Sequence, residues 1–376
     1  MRKLLTIVLL SLITTWAVAQ ENELNAPKEN EPNTLRYYLH DKTTFDIRLS
    51  ELNQIRRIGS LGFRNVFTNT DMGSKDFLYS DIDSIMFVYV DYGPDNNKNR
   101  NKNPRAVALE YPHLKEASDQ LLVIKSTEDF GVTYSLEWDC TKKSQRWTCY
   151  QFHDGIPNNN VGRYSGSWMD DPDIPVEYQT HSSQYSSTDY SRGHMCMSND
   201  RQSSKEQNKQ TFYISNAHPQ LQGHNAGIWL KLENLVNGWG NDKEFRDTLF
   251  VVKAGTIDKE EQLLEPTPTG LLVPKYFYMA ILCKKDNEYK SIGFWTEHNT
   301  MSSSGVNLSN YSLSIKQLEE ITGIDFFCNL PDDIEEATEK DYTLSDWGLP
   351  DRTDIEGETR EHTGYDWNLP EITEEE

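Results

Sequence analysis

Between residues 106 and 330 the apolar positions follow two periods in turn. Runs of strand character (Leu121–Lys125, Tyr134–Trp138, Thr211–Ser215, Thr248–Lys253, Tyr276–Leu282) alternate with helical spacing such as Ile228, Leu232, Leu235 and Val236. That interleaving predicts an α+β domain over 106–330, long enough to bury a substantial core. Residues 34–92 read differently, as a small strand-rich accessory domain. They contain two similar stretches, Ile47-Arg-Leu-Ser-Glu-Leu-Asn-Gln-Ile55 and Phe77-Leu-Tyr-Ser-Asp-Ile-Asp-Ser-Ile85, which are too few for a solenoid. Between the two regions lies the Asn/Lys-rich stretch 93–105, GPDNNKNRNKNPR. It reads as a solvated linker rather than a nucleic-acid patch, despite four basic residues.

The ends of the chain depart from this pattern. Met1, Arg2 and Lys3 precede an apolar run from Leu4 to Ala19 that closes Ala17-Val18-Ala19. A basic start, a short apolar stretch and small residues predict a signal peptide over 1–19 and an exported protein, periplasmic or extracellular. The run is shorter than the ~20 residues a span needs, and no later segment is apolar enough, so no membrane span is expected. Residues 21–33 are polar and read as a mobile linker. Residues 331–376 hold 17 acidic and 3 basic residues and repeat Asp346-Trp-Gly-Leu-Pro350 as Asp366-Trp-Asn-Leu-Pro370. Such composition predicts a flexible acidic tail.

Composition narrows the function. The 376 residues carry 37 Lys and Arg against 59 Asp and Glu, a net charge of −22. A protein that coats nucleic acid through bulk positive charge is excluded, and any polyanion must meet a local basic site. There are five cysteines: Cys140, Cys149, Cys196, Cys283 and Cys328. In an oxidising compartment Cys140 and Cys149, flanking a hairpin, could pair, while the odd count leaves at least one free. No C-x-x-C spacing suggests zinc.

The chemistry gathers in three segments: Tyr190-Ser-Arg-Gly-His-Met-Cys-Met-Ser-Asn-Asp-Arg201, Gln210-Thr-Phe-Tyr-Ile-Ser-Asn-Ala-His-Pro-Gln220 and Asn225-Ala-Gly-Ile-Trp-Leu-Lys-Leu-Glu233. On an α-helix Asn225, Trp229 and Glu233 share one face, at i, i+4 and i+8. An amide oxygen there can coordinate a hard cation and a carboxylate can hold a metal-bound water. Arg192 offers a charged fork for phosphate, and Gly193 permits close backbone approach. His194, with an unperturbed pKa near ~6.5, is a competent general base. His218 and His224 read as loop or substrate-facing residues rather than a zinc pair, because no third ligand is evident.

Together these segments resemble the DNA/RNA non-specific endonuclease family, whose active site is a ββα-metal (His-Me finger) motif. The matching elements are Ser191-Arg192-Gly193-His194, then Thr211-Phe212, Ser215-Asn216 and Pro219-Gln220, then Asn225, Trp229 and Leu232-Glu233. The likeness covers roughly residues 106–330 and closes with Thr322-Gly-Ile-Asp-Phe-Phe327. It implies His194 as general base, Asn225 as direct ligand of Mg²⁺ (or Mn²⁺), Glu233 acting on the metal through water, and Asn216 supporting the metal site. Arg192 would hold the phosphate, with Arg163 as a second substrate contact. It further implies hydrolysis of DNA and RNA with little sequence preference. Three positions depart from the pattern: Ser191 stands where the family has Asp, and Met195 and Met197 replace Leu and Pro. The loss of the carboxylate leaves a second class open, a weakly catalytic or inactive nucleic-acid-binding or adhesion protein on the same scaffold.

Overall fold

The computed structural model describes residues 34–353, apart from 41–43, 50–51, 59–60, 68–73, 89–96, 116, 128, 187, 287 and 301–303. The chain divides into two compact units, Met1–Pro94 and Asp95–Glu376.

The first unit has six strands: β1 (Thr34–Leu39), β2 (Thr44–Arg48), β3 (Leu52–Ile58), β4 (Gly62–Phe67), β5 (Ser74–Leu78) and β6 (Ile82–Val88). They form two antiparallel sheets, ordered β2-β1-β6 and β3-β4-β5. The similar stretches seen in the sequence fall on the β2-to-β3 and β5-to-β6 links. Taken as two runs of three strands, β1-β2-β3 and β4-β5-β6, the unit exchanges their third strands between the sheets. Each sheet takes two strands from one run and the last strand from the other. Exchange explains the patterning, since Leu35, Ile47, Phe63, Phe77 and Ile85 come from both runs into one shared core. Tyr37 stacks on Phe77 with centroids 4.0 Å apart and donates its hydroxyl hydrogen to Asn65 Oδ1 at 2.7 Å.

The second unit is built on β7 (Gln120–Thr127), β8 (Gly131–Asp139), β9 (Ser144–His153), β10 (Tyr190–His194), β11 (Ala217–Leu221), β12 (Thr248–Gly255), β13 (Leu263–Leu264), β14 (Val273–Pro274), β15 (Tyr276–Lys285), β16 (Glu288–Glu297) and β17 (Ser312–Leu313). Its helices are α1 (Lys205–Gln210), α2 (Leu230–Asn241), α3 (Ile315–Thr322) and α4 (Asp332–Glu339). The main sheet has seven antiparallel strands in the order β17-β16-β15-β12-β9-β8-β7. Alternation along β12 sends Leu249 and Val251 into one core with Trp229, Leu232 and Val236. Phe250, Val252 and Ala254 enter another with Trp147, Leu318, Phe326 and Phe327. Among the described residues no helix is long and apolar enough to cross a membrane. The α+β class read from the sequence is the one observed.

Three expectations are corrected. All five cysteines are free and buried. Cys140 belongs to the first of those cores and Cys149 to the second, so the sheet itself separates the two thiols. The part of 93–105 that is described is no solvated linker. Asn97 Nδ2 donates to the Cys328 carbonyl, Asn101 N to Asn329 Oδ1 at 3.1 Å, and Asn101 Nδ2 to the Pro112 carbonyl at 3.0 Å. Nor is the described part of the acidic tail loose: α4 lies in it, and Trp347 is 1% exposed, packed on Trp239 at 4.8 Å and under Lys290. The second Trp-containing repeat, 366–370, lies outside the described residues.

Candidate active site

Strands β10 and β11 run antiparallel, pairing Ser191 with Gln220, Gly193 with His218 and His194 with Ala217. With α2 they make a ββα frame. Strand alternation turns Tyr190, Arg192 and His194 to one side and Ser191 and Gly193 to the other. A Cβ at position 193 would stand 1.8 Å from Gln220 Oε1, so only glycine fits against β11. Asn216 is fully committed. Its Oδ1 accepts from Cys196 N at 2.8 Å, and its Nδ2 donates to the carbonyls of Cys196 and Thr211, each at 2.9 Å. It clamps the chain just beyond His194 through these three bonds.

His194 lies between two aromatic rings, Trp168 at 4.5 Å and Phe212 at 5.0 Å. Its Nε2 is buried with no hydrogen-bond partner. Burial, then Arg163 and Lys253, push the imidazole down to about 3, so it is neutral at physiological pH. Arg163 lies over the Phe212 ring at 4.9 Å, and its charge reaches both His194 and Glu233. Arg192 is pinned from behind: its Nη2 donates to the Ser182 carbonyl at 2.8 Å and its guanidinium lies 5.2 Å over Tyr185. Its Nε is buried and unpartnered.

The helix carrying Asn225 is not the regular one the spacing predicts. Residues Asn225–Trp229 form a π-helical turn with Gly227 outside helical geometry (φ −100°, ψ −113°), and α2 starts only at Leu230. Such wide turns recur at functional sites because they re-aim a side chain within a helix. Here Asn225 Nδ2 donates to Ser191 Oγ at 3.2 Å, and that hydroxyl donates to the Gln220 carbonyl at 2.9 Å. The amide oxygen of Asn225 is thereby left as the uncommitted end. Ser191, which seemed a loss, orients Asn225. Glu233 is 5% exposed with Oε1 unpartnered. Burial raises its carboxyl to about 8, against the charges of Lys253 and Arg163.

The motif reading missed Lys253 and Asp200. Lys253 Nζ, fully buried, lies 3.7 Å from Asp200 Oδ2 and 3.9 Å from Glu233 Oε1. A lone lysine inside the apolar run Leu-Phe-Val-Val-Lys-Ala-Gly was the available signal, because lysine is almost never fully buried unpaired. His218 and His224 are core residues and not substrate-facing: both are 0% exposed and pack on Phe277. Among the described residues no group of three or more His, Cys, Asp or Glu is placed to hold a metal ion.

Comparison with known proteins agrees with this frame. Mitochondrial nuclease EXOG of Danio rerio is 27% identical over 207 residues, 53% of this chain and 60% of that protein. Nuclease C1 of Cunninghamella echinulata var. echinulata is 28% identical over 178 residues, 46% of this chain and 70% of that one. The chain thus spans 60% of the length of the Danio rerio relative. A solved structure of the EndoG/EndoGI complex matches with 20% identity and a TM-score of 0.48, over 56% of this chain and 88% of the other. The relatives overturn the exported, periplasmic or extracellular destination expected from residues 1–19. EXOG of Danio rerio, Mus musculus and Homo sapiens and Nuclease 1 of Schizosaccharomyces pombe are all named mitochondrial. Their names point to mitochondria rather than to export. A basic start and an apolar run are a receptor-read address, and composition alone does not specify the receptor. Residues 1–19 themselves lie outside the described residues. Residues 122–333 match the model of the DNA/RNA non-specific endonucleases, and the chain belongs to that family.

Proposed function

We propose that this chain hydrolyses phosphodiester bonds of DNA or RNA without sequence preference, using Mg²⁺ or another divalent cation, with His194 as general base. The observation that carries the reading is that His194 Nε2 and the Asn225 amide oxygen, both uncommitted, stand on one ββα frame with the buried carboxyl group of Glu233. Those orphaned acceptors fit a hard cation. Mg²⁺ keeps several waters and needs few protein oxygens, so an amide ligand with a carboxylate behind it suffices without a cluster of acids. Asn225 would hold the ion directly and Glu233 through water. Bound there, it would polarise the scissile phosphate and neutralise charge on the leaving oxygen.

The protein's own groups supply the rest. A neutral imidazole can take a proton from water, and the depressed pKa keeps His194 in that form. Trp168 and Phe212 flank the ring and hold its orientation. Arg163, beside Phe212, and Arg192, on β10, would bring cationic charge for a phosphate to an acidic protein. Contacts of this type go to the backbone of a nucleic acid and not to base edges, hence the low sequence preference.

Plasmid nicking with Mg²⁺ and with chelator, for wild type and His194→Ala, is the test. The variant is expected to lose about two to four orders of magnitude in rate while retaining its fold. Activity within about tenfold of wild type removes His194 from the role. A wild-type protein that binds DNA but never nicks it favours the non-catalytic scaffold.

A further inference from the structure

Lys253 stands on β12, between Val252 and Ala254, and its side chain enters the core that holds Leu249, Val251, Trp229 and Leu232. It is 0% exposed. Its ammonium lies 5.4 Å from the Tyr150 ring and makes no hydrogen bond. Burying a charge without a close partner is costly, so its neighbours decide what it does. Among the described residues two acidic oxygens lie within 4 Å, Asp200 Oδ2 at 3.7 Å and Glu233 Oε1 at 3.9 Å.

These two acids are not equivalent. Each oxygen of Asp200 already has a donor: the Tyr150 hydroxyl donates to Oδ2 at 2.5 Å and Asn237 Nδ2 donates to Oδ1 at 2.7 Å. Glu233 Oε1 is buried and has no donor at all. An unpartnered ammonium thus faces an unpartnered carboxylate oxygen. A shift of under about 1 Å would bring N⁺–H···O⁻ contact. Asp200 meanwhile, held by Tyr150 from β9 and Asn237 from α2, fixes where the ammonium can go.

We propose that Lys253 is a positioning residue for Glu233: its ammonium anchors one carboxylate oxygen, so that the other is presented to the water of a divalent cation held by Asn225. The inference rests on the nuclease reading above and adds the residue that aims Glu233. Lys253 touches neither substrate nor cation. Its effect on the cation therefore passes through Glu233, apart from the charge it brings near His194.

The test uses the full chain and reads two quantities, Mn²⁺ binding to the protein alone (electron paramagnetic resonance of free Mn²⁺) and kcat and KM for plasmid nicking. Lys253→Met is expected to weaken Mn²⁺ binding by about 10–100-fold and to lower kcat by a similar factor, leaving KM for DNA within about threefold. Lys253→Arg, which keeps the charge, is expected to restore part of both. In a Glu233→Gln background, Lys253→Met should change Mn²⁺ affinity by less than about threefold, the signature of two residues acting as one unit. A merely structural lysine would lower the melting temperature without that coupling. If Lys253→Met does not fold, Asp200→Asn with Lys253→Met removes both ends of the buried pair, and the same cycle is run against Asp200→Asn alone. Wild-type Mn²⁺ affinity in folded Lys253→Met, or additive losses in the cycle, overturn the proposal. Mn²⁺ binding without nicking by wild type overturns the nuclease reading alone, and no Mn²⁺ binding by wild type overturns both.

Discussion

Two corners of the second unit bury titratable groups and treat them in opposite ways. Behind the ββα frame, His218, His224 and His298 surround Phe277 with ring centroids 5.9, 5.0 and 5.0 Å away. They are kept neutral and mostly hydrogen-bonded. His298 Nε2 accepts from Leu221 N at 2.8 Å, its Nδ1 donates to the Pro274 carbonyl at 2.7 Å, and His224 Nε2 pairs with Thr296 Oγ1 at 3.1 Å. Burial pushes His218 and His224 down to about 3 and His298 to about 4. At the α3–α4 corner, Glu319, Asp325, Glu335 and Glu339 line a cavity of about 640 Å³ with only Lys316 and Lys340 for cations. Burial pushes Glu319 up to about 7, Glu335 to about 8 and Glu339 to about 10. The first corner excludes protons and the second retains them, because desolvation always penalises the charged form.

The largest expected effect follows from those signs. A buried neutral imidazole gains a proton only on unfolding, so below about pH 6.5 stability falls as pH falls, by about 1.4 kcal/mol per pH unit for each histidine, down to the folded values. A buried protonated carboxyl loses its proton on unfolding, so above about pH 4.5 stability falls as pH rises, with a similar slope, up to the folded values. Between about pH 4.5 and 6.5 the two corners oppose each other. Glu335→Gln with Glu339→Gln keeps the neutral shape and removes the two largest parts of the second contribution, leaving Glu319. Urea midpoints from about pH 4.5 to 9 should then show a flatter alkaline limb and an acid limb that begins near 6.5. Parallel curves for wild type and variant would break the comparison.

How much of this was legible depended on the kind of constraint. Residues that do chemistry must be of fixed type at fixed spacing, so Arg192, His194, Asn225 and Glu233, the residues proposed for the site, stand out in the sequence itself. What orients them was not readable. The π turn at Gly227 depends on backbone geometry, and the Ser191–Asn225 bond depends on two strands meeting. Lys253 joins the site across the sheet, from a strand that reads as plain core. The α3–α4 corner was misread altogether. Asn, Lys and acid-rich stretches look solvated, yet 97–105 ties itself to 325–332 through amide side chains, and burial of Trp347 seats the segment beyond α4. The Trp in an acidic stretch was the signal for a docked segment, and net charge outweighed it.

Trp347→Ala measures that docking. Trp347 contacts Trp239 at 4.8 Å and Phe245 at 5.7 Å, Trp239 Nε1 donates to its carbonyl at 3.1 Å, and Lys290 Nζ lies 4.9 Å over its ring. Losing a buried Trp should cost about 3–5 kcal/mol by urea unfolding. A loss within about 0.5 kcal/mol would return residues 341–353 to the status of a solvated tail.

Ser191→Ala is expected to act at the site with little effect on stability. It removes the acceptor of Asn225 Nδ2 and frees that amide to rotate. Mn²⁺ affinity should fall by about tenfold, the lower end of what orienting contacts contribute. The melting temperature should change little, since each of the two partly exposed bonds of the Ser191 hydroxyl is worth about 1 kcal/mol. Unchanged affinity would mean that the π turn alone aims Asn225.

The smallest expected effect is the pH dependence of turnover. Were His194 an ordinary imidazole, kcat/KM would climb with pH through an inflection near ~6.5, because only the neutral form accepts a proton. Burial between Trp168 and Phe212, with Arg163 and Lys253 nearby, holds it to about 3 instead. The free enzyme then carries a neutral His194 between pH 6 and 7.5. With saturating Mg²⁺, so that Glu233 does not titrate in the same window, kcat/KM should vary by less than about twofold between pH 6 and 7.5. Arg163→Gln removes one of the charges that depress the imidazole. It should leave this profile flat, because the remaining burial still keeps His194 far below the window. A rise of about tenfold through a single inflection near 6.5 in wild type would show that the ring is solvated in solution. It would place the base among exposed histidines and leave only His218, His224 and His298 on the proton-excluding side of the comparison.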